Sequence, residues 1–375
     1  MRIVFVGGRT GGHFYPLIAI AEAVRVRFAE LSRPIELFYM GPHPYDHEAL
    51  RANSITFVRC PSGKLRRYRS ILNIFSPLLV MWGTAVALFK LFTIYPDAVM
   101  SKGGDTSVPV VVAAWLLRIP IVVHESDASA GRANRLAARF ARHVGIAYQE
   151  TAEQFPREKT ALVGIPIRHE LQTQALQNGR EVLGIETPLP LILVLGGSSG
   201  AERLNTLILE SLDELLPSYG IIHQTGKDHA VSVQKTAETL IRDPELQNRY
   251  HPVGFLSALM LHTAYGVASI VISRAGSTTI FENAIHKKPA ILIPIPEEIS
   301  HDQRKNAYAY ARGGGAIVME EGNLRDGLLA AEIARIMGDS DTYQSMSEAA
   351  GRFAPNDAAE RLADLLLRIG DEHNS

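Results

Sequence analysis

Cysteine is almost absent from this 375-residue chain: Cys60 stands alone. That excludes an intramolecular disulfide and any cluster of thiolate zinc ligands. Net charge is nearly absent as well, with 38 Lys and Arg against 39 Asp and Glu and a formal charge of −1. The chain therefore lacks the global basic bias of nucleic-acid binders, and no nucleic-acid partner is expected. Low-complexity segments are missing, and only the tail GDEHNS reads as disordered. The opening MRIVFVGGRTGG carries far too short an apolar run for a signal peptide, so a reducing, cytoplasmic setting is the expectation. The one D-x-D, Asp339 and Asp341, sits between helical stretches away from any glycine loop and reads as a solvated turn.

What the chain has is alternation. At 46% hydrophobic and 21% charged residues it is a soluble globular type, long enough for two cores. Strand-like runs fall at 2–6, 35–40, 55–59, 97–101, 121–124 and 160–163, and again at 191–195, 219–223, 267–272, 290–293 and 316–319, with helical periodicity such as 16–30 between them. That order predicts an α/β fold of two Rossmann-like domains facing a central cleft, each a parallel sheet covered by helices. The expected units are 1–164, 165–350 and a C-terminal helix and tail, 351–375, packing back on the first. Each half opens with a strand running into a glycine-rich turn: VFVGGRTGGH first, ILVLGGSSGAERLN second. Such turns let backbone N–H groups approach an anion at a helix N-terminus, although they also serve as plain connections. A dinucleotide dehydrogenase fits poorly, because GGRTGG breaks the G-x-G-x-x-G spacing and the next strand ends FYMG without a ribose-binding acid.

One apolar stretch, ILNIFSPLLVMWGTAVALFKLF at 71–92, approaches the length of a membrane span but contains Asn73, Pro77, Gly83 and Lys90. It follows the basic KLRRYRS, with Lys64, Arg66, Arg67 and Arg69. Two readings stay open: a helix with an apolar patch binding a membrane interface, or an unusually apolar core helix. A second basic feature is the row Arg132, Arg135, Arg139 and Arg142 on one helix face. It reads either as a contact with an anionic leaflet or as a solvated charged face.

The segments GGRTGGHFYP, KGGD, VHESDASAGRANR, VGIPIR, LGGSSGAERLN, GFLSALM, SRAGSTTIFENA and HDQRKNA, in this order and spacing, resemble the MurG family of GT-B glycosyltransferases (glycosyltransferase family 28) over essentially the whole chain. The resemblance implies an enzyme that moves N-acetylglucosamine from UDP-N-acetylglucosamine to the undecaprenyl-pyrophosphate-linked glycolipid lipid I, forming lipid II with inversion. It implies no cofactor and no metal. It also implies peripheral binding to the anionic inner leaflet at the cytoplasmic face of the cell membrane.

By the same resemblance His13 is the general base. Thr10, Gly11, Gly12, Gly103, Gly104, Asp105, Glu125 and Asn134 surround the acceptor. The donor contacts are Thr10, Gly11, Gly12, Arg168, Ser198, Ser199, Leu256, Ser277, Thr278, Glu282 and Gln303. Backbone groups at Leu256 would read uracil, and Glu282 would accept the ribose hydroxyls. An imidazole near its ordinary pKa suits the base role, while a structural tie of loop to helix is the plainer alternative for His13. For Glu282 the plainer role is a first-turn helix acid, and for Ser198 an N-cap.

Three positions depart from the family's pattern: Arg9, Asp105 in GGD, and Asp127 in HESD. The two acids put charge beside the expected pyrophosphate, and Asp127 becomes a candidate to share or replace the base role. Arg9 either offsets one of these acids or faces solvent. Alternatives to lipid I transfer are a transferase for another lipid such as diacylglycerol, a UDP-N-acetylglucosamine 2-epimerase, and a non-catalytic UDP-sugar binder.

Overall fold

The computed structural model describes residues 1–63, 72–173, 176, 178–197, 201–300 and 302–374. The chain divides into two compact units, Met1–His169 with Pro355–Ser375, and Glu170–Ala354. The boundaries thus fall at His169 and Ala354 rather than at 164 and 350.

The first unit holds β1 (Arg2–Val6), β2 (Glu36–Gly41), β3 (Ile55–Arg59), β4 (Ala98–Ser101), β5 (Ile121–Glu125), β6 (His143–Ile146) and β7 (Thr160–Leu162). They pair in the order β3-β2-β1-β4-β5-β6-β7, every pairing parallel. β4 (AVMS) and β5 (IVVHE) are buried at every position, β5 opening on three β-branched residues, as strands covered on both faces require. The chain runs outward from β1 through β3, then returns to place β4 on the other side of β1. The C-terminal ends of β1 and β4 therefore flank the switch point where α/β sheets bind ligands.

The second unit repeats the plan with β8 (Leu191–Leu195), β9 (Gly220–Gln224), β10 (Tyr250–Val253), β11 (Ile270–Ser273), β12 (Ala290–Leu292) and β13 (Ala316–Val318). Their order is β10-β9-β8-β11-β12-β13, with the switch point between β8 and β11. Two strands, β6 and β10, were not expected. β6 is only four residues long behind an arginine-rich helix, and β10 carries Pro252, which an edge strand tolerates because one side of its backbone needs no partner. The expected strand at 267–272 begins in the last turn of the Ala258–Val267 helix instead.

The C-terminal helix Ala358–Asn374 packs on the Gly11–Glu30 helix: Leu362, Leu366 and Ile369 share a core with Leu17, Val24 and Phe28. Its end is pinned by Arg33 to Asp371 at 2.6 Å and by an Arg142–Glu372 ion pair. Residues 370–374 are therefore helix and not the disordered tail expected. Asp339 caps the Ser340–Phe353 helix, accepting from the Asp341 amide at 3.2 Å and from Thr342 Oγ1 at 2.5 Å.

The apolar stretch forms the helix Leu72–Ile94. Ser76, Gly83, Ala87 and Leu91 line its buried side, and a Cβ at Gly83 would collide with the Pro61 carbonyl. Leu78, Leu79, Met81, Trp82, Phe89 and Phe92 are exposed. Of the expected basic neighbours, Lys64, Arg66, Arg67 and Arg69 lie outside the described residues. The arginine row is shorter than expected, because the helix Arg132–Phe140 ends before Arg142, which pairs with Glu372.

Candidate functional site

In the first unit the glycine turn leaves β1 and enters the Gly11–Glu30 helix, whose N-cap is Thr10. The Thr10 carbonyl accepts from the His13 and Phe14 amides at 3.1 Å each. Its hydroxyl does not cap the helix. It lies 2.8 Å from His13 Nδ1, in a hydrogen bond that orients the imidazole. Gly8 makes room for the ring, since a Cβ there would sit 2.8 Å from His13 Cγ.

The turn after β4 closes over this loop. Gly103 and Gly104 both take positive φ, 81° and 82°, and a Cβ on Gly104 would stand 2.6 Å from Gly8 Cα. Thr106 Oγ1 donates to the Gly7 carbonyl, and Ser107 Oγ donates to that of Gly104 at 2.8 Å. The two glycine segments are thereby sewn together beside His13.

The third wall follows β5. Glu125 is buried and accepts from the Asp127 amide at 3.0 Å, the Gly131 amide at 2.8 Å and Asn134 Nδ2 at 3.0 Å. It fixes the turn that begins the Arg132–Phe140 helix. Burial and the neighbouring Asp127 raise its pKa, although its three donors oppose the rise. Asn134 also donates to the His124 carbonyl at 3.2 Å and presses on Gly103. Beneath it, His124 is held neutral by burial and by Lys102, and its Nε2 meets the Gly164 carbonyl at 2.7 Å.

Lys102, which the sequence reading passed over inside KGGD, is buried among these groups and donates to Ser126 Oγ. Burial lowers its pKa to about 8, while Glu125 and Asp127 hold it up. His13 is pushed down to about 4, first by burial and then by Lys102, against the pull of Asp127 and Asp105. The expected imidazole of ordinary pKa is therefore corrected: at neutral pH it is unprotonated. Arg9 turns toward Asp105, with Nε 3.8 Å from Oδ1, and its guanidinium lies 3.4 Å from Ser62 Oγ.

The family resemblance put Arg168 among the donor contacts. The structure sets it in the first unit, its guanidinium 4.4 Å above the Tyr15 ring, whose hydroxyl donates to Asp46 at 3.2 Å. Thr10, Gly11 and Gly12 also belong to the first unit.

The remaining donor candidates lie in the second unit. Ser198 and Ser199 fall outside the described residues; before them Gly197 leaves β8 at φ 71°. At the end of β11, Gly276 caps the helix Ser277–Ile285, with Ser277 buried and Thr278 partly exposed at its first turn. Glu282 is buried beyond that turn, so the first-turn-acid role does not apply. Its charge contributes to raising the Tyr265 hydroxyl, behind burial. The Glu282 carbonyl receives His286 Nδ1 at 2.7 Å, and His286 stacks on Tyr265 at 4.5 Å.

The Leu256 amide donates to Gln224 Oε1 at 3.1 Å, and Gln303 Oε1 accepts from the Ile295 amide at 3.1 Å. Two further residues escaped the sequence reading. Arg274 in SRAGSTT is buried, donates to the Ile293 carbonyl at 3.0 Å and pairs with Glu321 at 2.5 Å. It locks the β11 turn to the end of β12. Among the described residues no group of three His, Cys, Asp or Glu side chains is placed to hold a metal ion.

Profiles of the glycosyltransferase family 28 N-terminal and C-terminal domains match residues 3–146 and 191–362. The UDP-N-acetylglucosamine--N-acetylmuramyl-(pentapeptide) pyrophosphoryl-undecaprenol N-acetylglucosamine transferase 2 of Bacillus cereus is 34% identical over 348 residues, covering 92% of this chain and 94% of its own. The transferase of that name in Shouchella clausii is 36% identical over 346 residues, covering 91% and 92%. In fold, the crystal structure of Acinetobacter baumannii MurG aligns at TM-score 0.74 over 98% of this chain and 99% of its own, at 24% identity. The UDP-GlcNAc 2-epimerase of Neisseria meningitidis aligns at 0.70 over 98% and 100%, at 14% identity. Sharing about a third of its residues with those transferases along nine-tenths of its length, the chain belongs to glycosyltransferase family 28, within its MurG group.

Proposed function

We propose that this chain is an inverting glycosyltransferase that moves N-acetylglucosamine from UDP-N-acetylglucosamine to the 4-hydroxyl of the N-acetylmuramyl sugar of lipid I, giving lipid II. The observation that carries the chemistry is His13: an unprotonated imidazole oriented by Thr10, beside Asp127, at the switch point of a phosphate-type glycine loop. With Nδ1–H donating to Thr10 Oγ1, Nε2 carries the lone pair. It takes the proton of the acceptor hydroxyl as that oxygen attacks the anomeric carbon. The bond from C1 to the β-phosphate oxygen breaks, UDP departs with the electron pair, and attack from the opposite face inverts the centre. Asp127 stabilises the imidazolium as it forms.

In this reading the acceptor pyrophosphate lies along Gly11, Gly12, Gly103 and Gly104, and the nucleotide lies against the turns after β8 and β11, with Glu282 toward the ribose. The reading calls on no cofactor, since helix N-termini meet the leaving diphosphate.

The same reading makes the protein peripheral at the cytoplasmic face of the cell membrane. In its support, the segment Ser76–Ile94 has a mean hydropathy of 1.7 with only 17% of it buried, and its exposed Trp82, Phe89 and Phe92 give an apolar face to lie in an interface.

The test supplies UDP-N-acetylglucosamine with a lipid I analogue and then with diacylglycerol, following UDP release and product mass. Release that depends on the lipid I analogue is expected. Release with diacylglycerol alone would move the acceptor, and release without any acceptor would undermine the transferase. Sedimentation with anionic but not neutral vesicles, weakened by salt, is expected of the membrane face. Equal sedimentation with both would count against it.

A further inference from the structure

Two carboxylates beside a catalytic imidazole pose a problem. Asp127 and Asp105 both favour the charged ring, and a ring already protonated cannot accept the acceptor's proton. The structure supplies a cation for each acid. Arg9 stands 3.8 Å from Asp105 at the surface. Lys102 is buried on the side of Asp127, its Nζ on the Ser126 hydroxyl between Glu125 and Asp127, and its own amide on the Val6 carbonyl at 2.8 Å. That last bond anchors the lysine to the end of β1, where the His13 loop begins. A solvated lysine would gain nothing here, whereas a buried ammonium acts through little water.

We propose that Lys102 is a positioning residue for the transfer: its buried ammonium, tied to Ser126 in the turn that carries Asp127 and anchored through its amide to the end of β1, sets a fixed positive charge beside the His13 loop. The proposal rests on His13 being the base, as argued above. The groups facing the imidazole are Lys102 and Asp105 from the turn after β4, Asp127 from the turn after β5, and Thr10 on its own loop. Those facing the ammonium are Glu125, Ser126 and Asp127, with His124 beneath. Burial is the first cause that disfavours the charged imidazole, and the ammonium adds to it. The ammonium acts on the ring because it repels a proton there.

The test is the imidazole titration of His13 by NMR, together with the acid limb of kcat/KM, in Lys102→Met, Lys102→Arg and the parent. In Lys102→Met both should move up by about one pH unit or more, and Lys102→Arg should restore them. A titration within about 0.3 of the parent, with activity lost evenly at every pH, would overturn the proposal and leave Lys102 a packing residue. If Lys102→Met does not fold, the neutral pair Lys102→Met/Asp127→Asn is compared with Asp127→Asn. The imidazole must titrate about one unit higher in the former, and equal values overturn the proposal. A parent protein without acceptor-dependent UDP release would sink the transferase reading instead, leaving the titration to decide the role of Lys102 separately.

Discussion

The two units share one plan, a parallel sheet with a glycine turn at the strand where the order reverses, and fill it differently. Around the first turn stand His13, Lys102, Glu125 and His124, each with a protonation equilibrium displaced by burial and by charged neighbours. In the second unit the buried cation at the end of β11 is spent on structure, Arg274 on Glu321 and on the Ile293 carbonyl, and Glu282 is buried in the helix that follows. In our reading, closely similar scaffolds thus serve proton transfer in one unit and nucleotide recognition in the other. The difference lies in what each set of loops buries. Titratable groups crowded out of water acquire shifted equilibria, which serve chemistry. Groups whose hydrogen-bonding pattern is fixed, in our reading hydroxyls, amides and the Glu282 carboxylate, serve recognition.

The sharpest way to break this contrast is His13→Ala, which should lower kcat about 10²- to 10⁴-fold while UDP binding by calorimetry stays unchanged. A loss of UDP affinity instead would blur the division of labour. Next, Arg274→Met should unfold the second unit early, costing about 3 kcal/mol because Glu321 is left buried beside only the largely exposed Arg203. Chemical denaturation would read it, and an unchanged midpoint would contradict the structural role. Glu282→Gln should raise the donor KM about tenfold or more with a smaller change in kcat, since a charged acceptor of hydroxyl hydrogen bonds is lost.

Acid stability sharpens the contrast less. His13 near 4, His223 near 3 and His286 near 4 all titrate below the ordinary 6.5 in the folded chain. The unfolded chain therefore binds more protons in that window, and stability should fall as pH drops from about 6.5 toward 4 in both units. His13→Ala should flatten only part of that fall. The smallest effect is expected of Arg9→Gly: its pair with Asp105 is solvent-exposed, so stability should change by less than about 1 kcal/mol. A large rise in acceptor KM in that variant would make Arg9 part of the anion cradle.

Much of the plan was legible in the residues. Apolar runs ending in GGRTGGH and LGGSSGA announced two doubled sheets, because β-branched runs alternating with helical periods have few other ways to bury both faces. β10 escaped because Pro252 and two polar neighbours hide an edge strand that has only one partner to satisfy. The helical tail escaped because its polarity was read without Met1, Arg33 and Arg142, which it meets only after folding. Arg168, which the family motif marks as a donor contact, stacks on Tyr15 once the chain is folded, a pairing that the sequence alone does not show.

The order of strands and glycine turns, the family, and the presence of His13, Asp105 and Asp127 at loop ends are properties of the sequence itself. They depend on local pattern and on residue identity, both readable without coordinates. The protonation state of His13, the pairing of Arg9 with Asp105 and the burial of Lys102 beside the His13 loop were decided by the tertiary structure. Electrostatic effects depend on distance and on excluded water, and the groups involved stand far apart along the chain until the ends of β1, β4 and β5 bring them together.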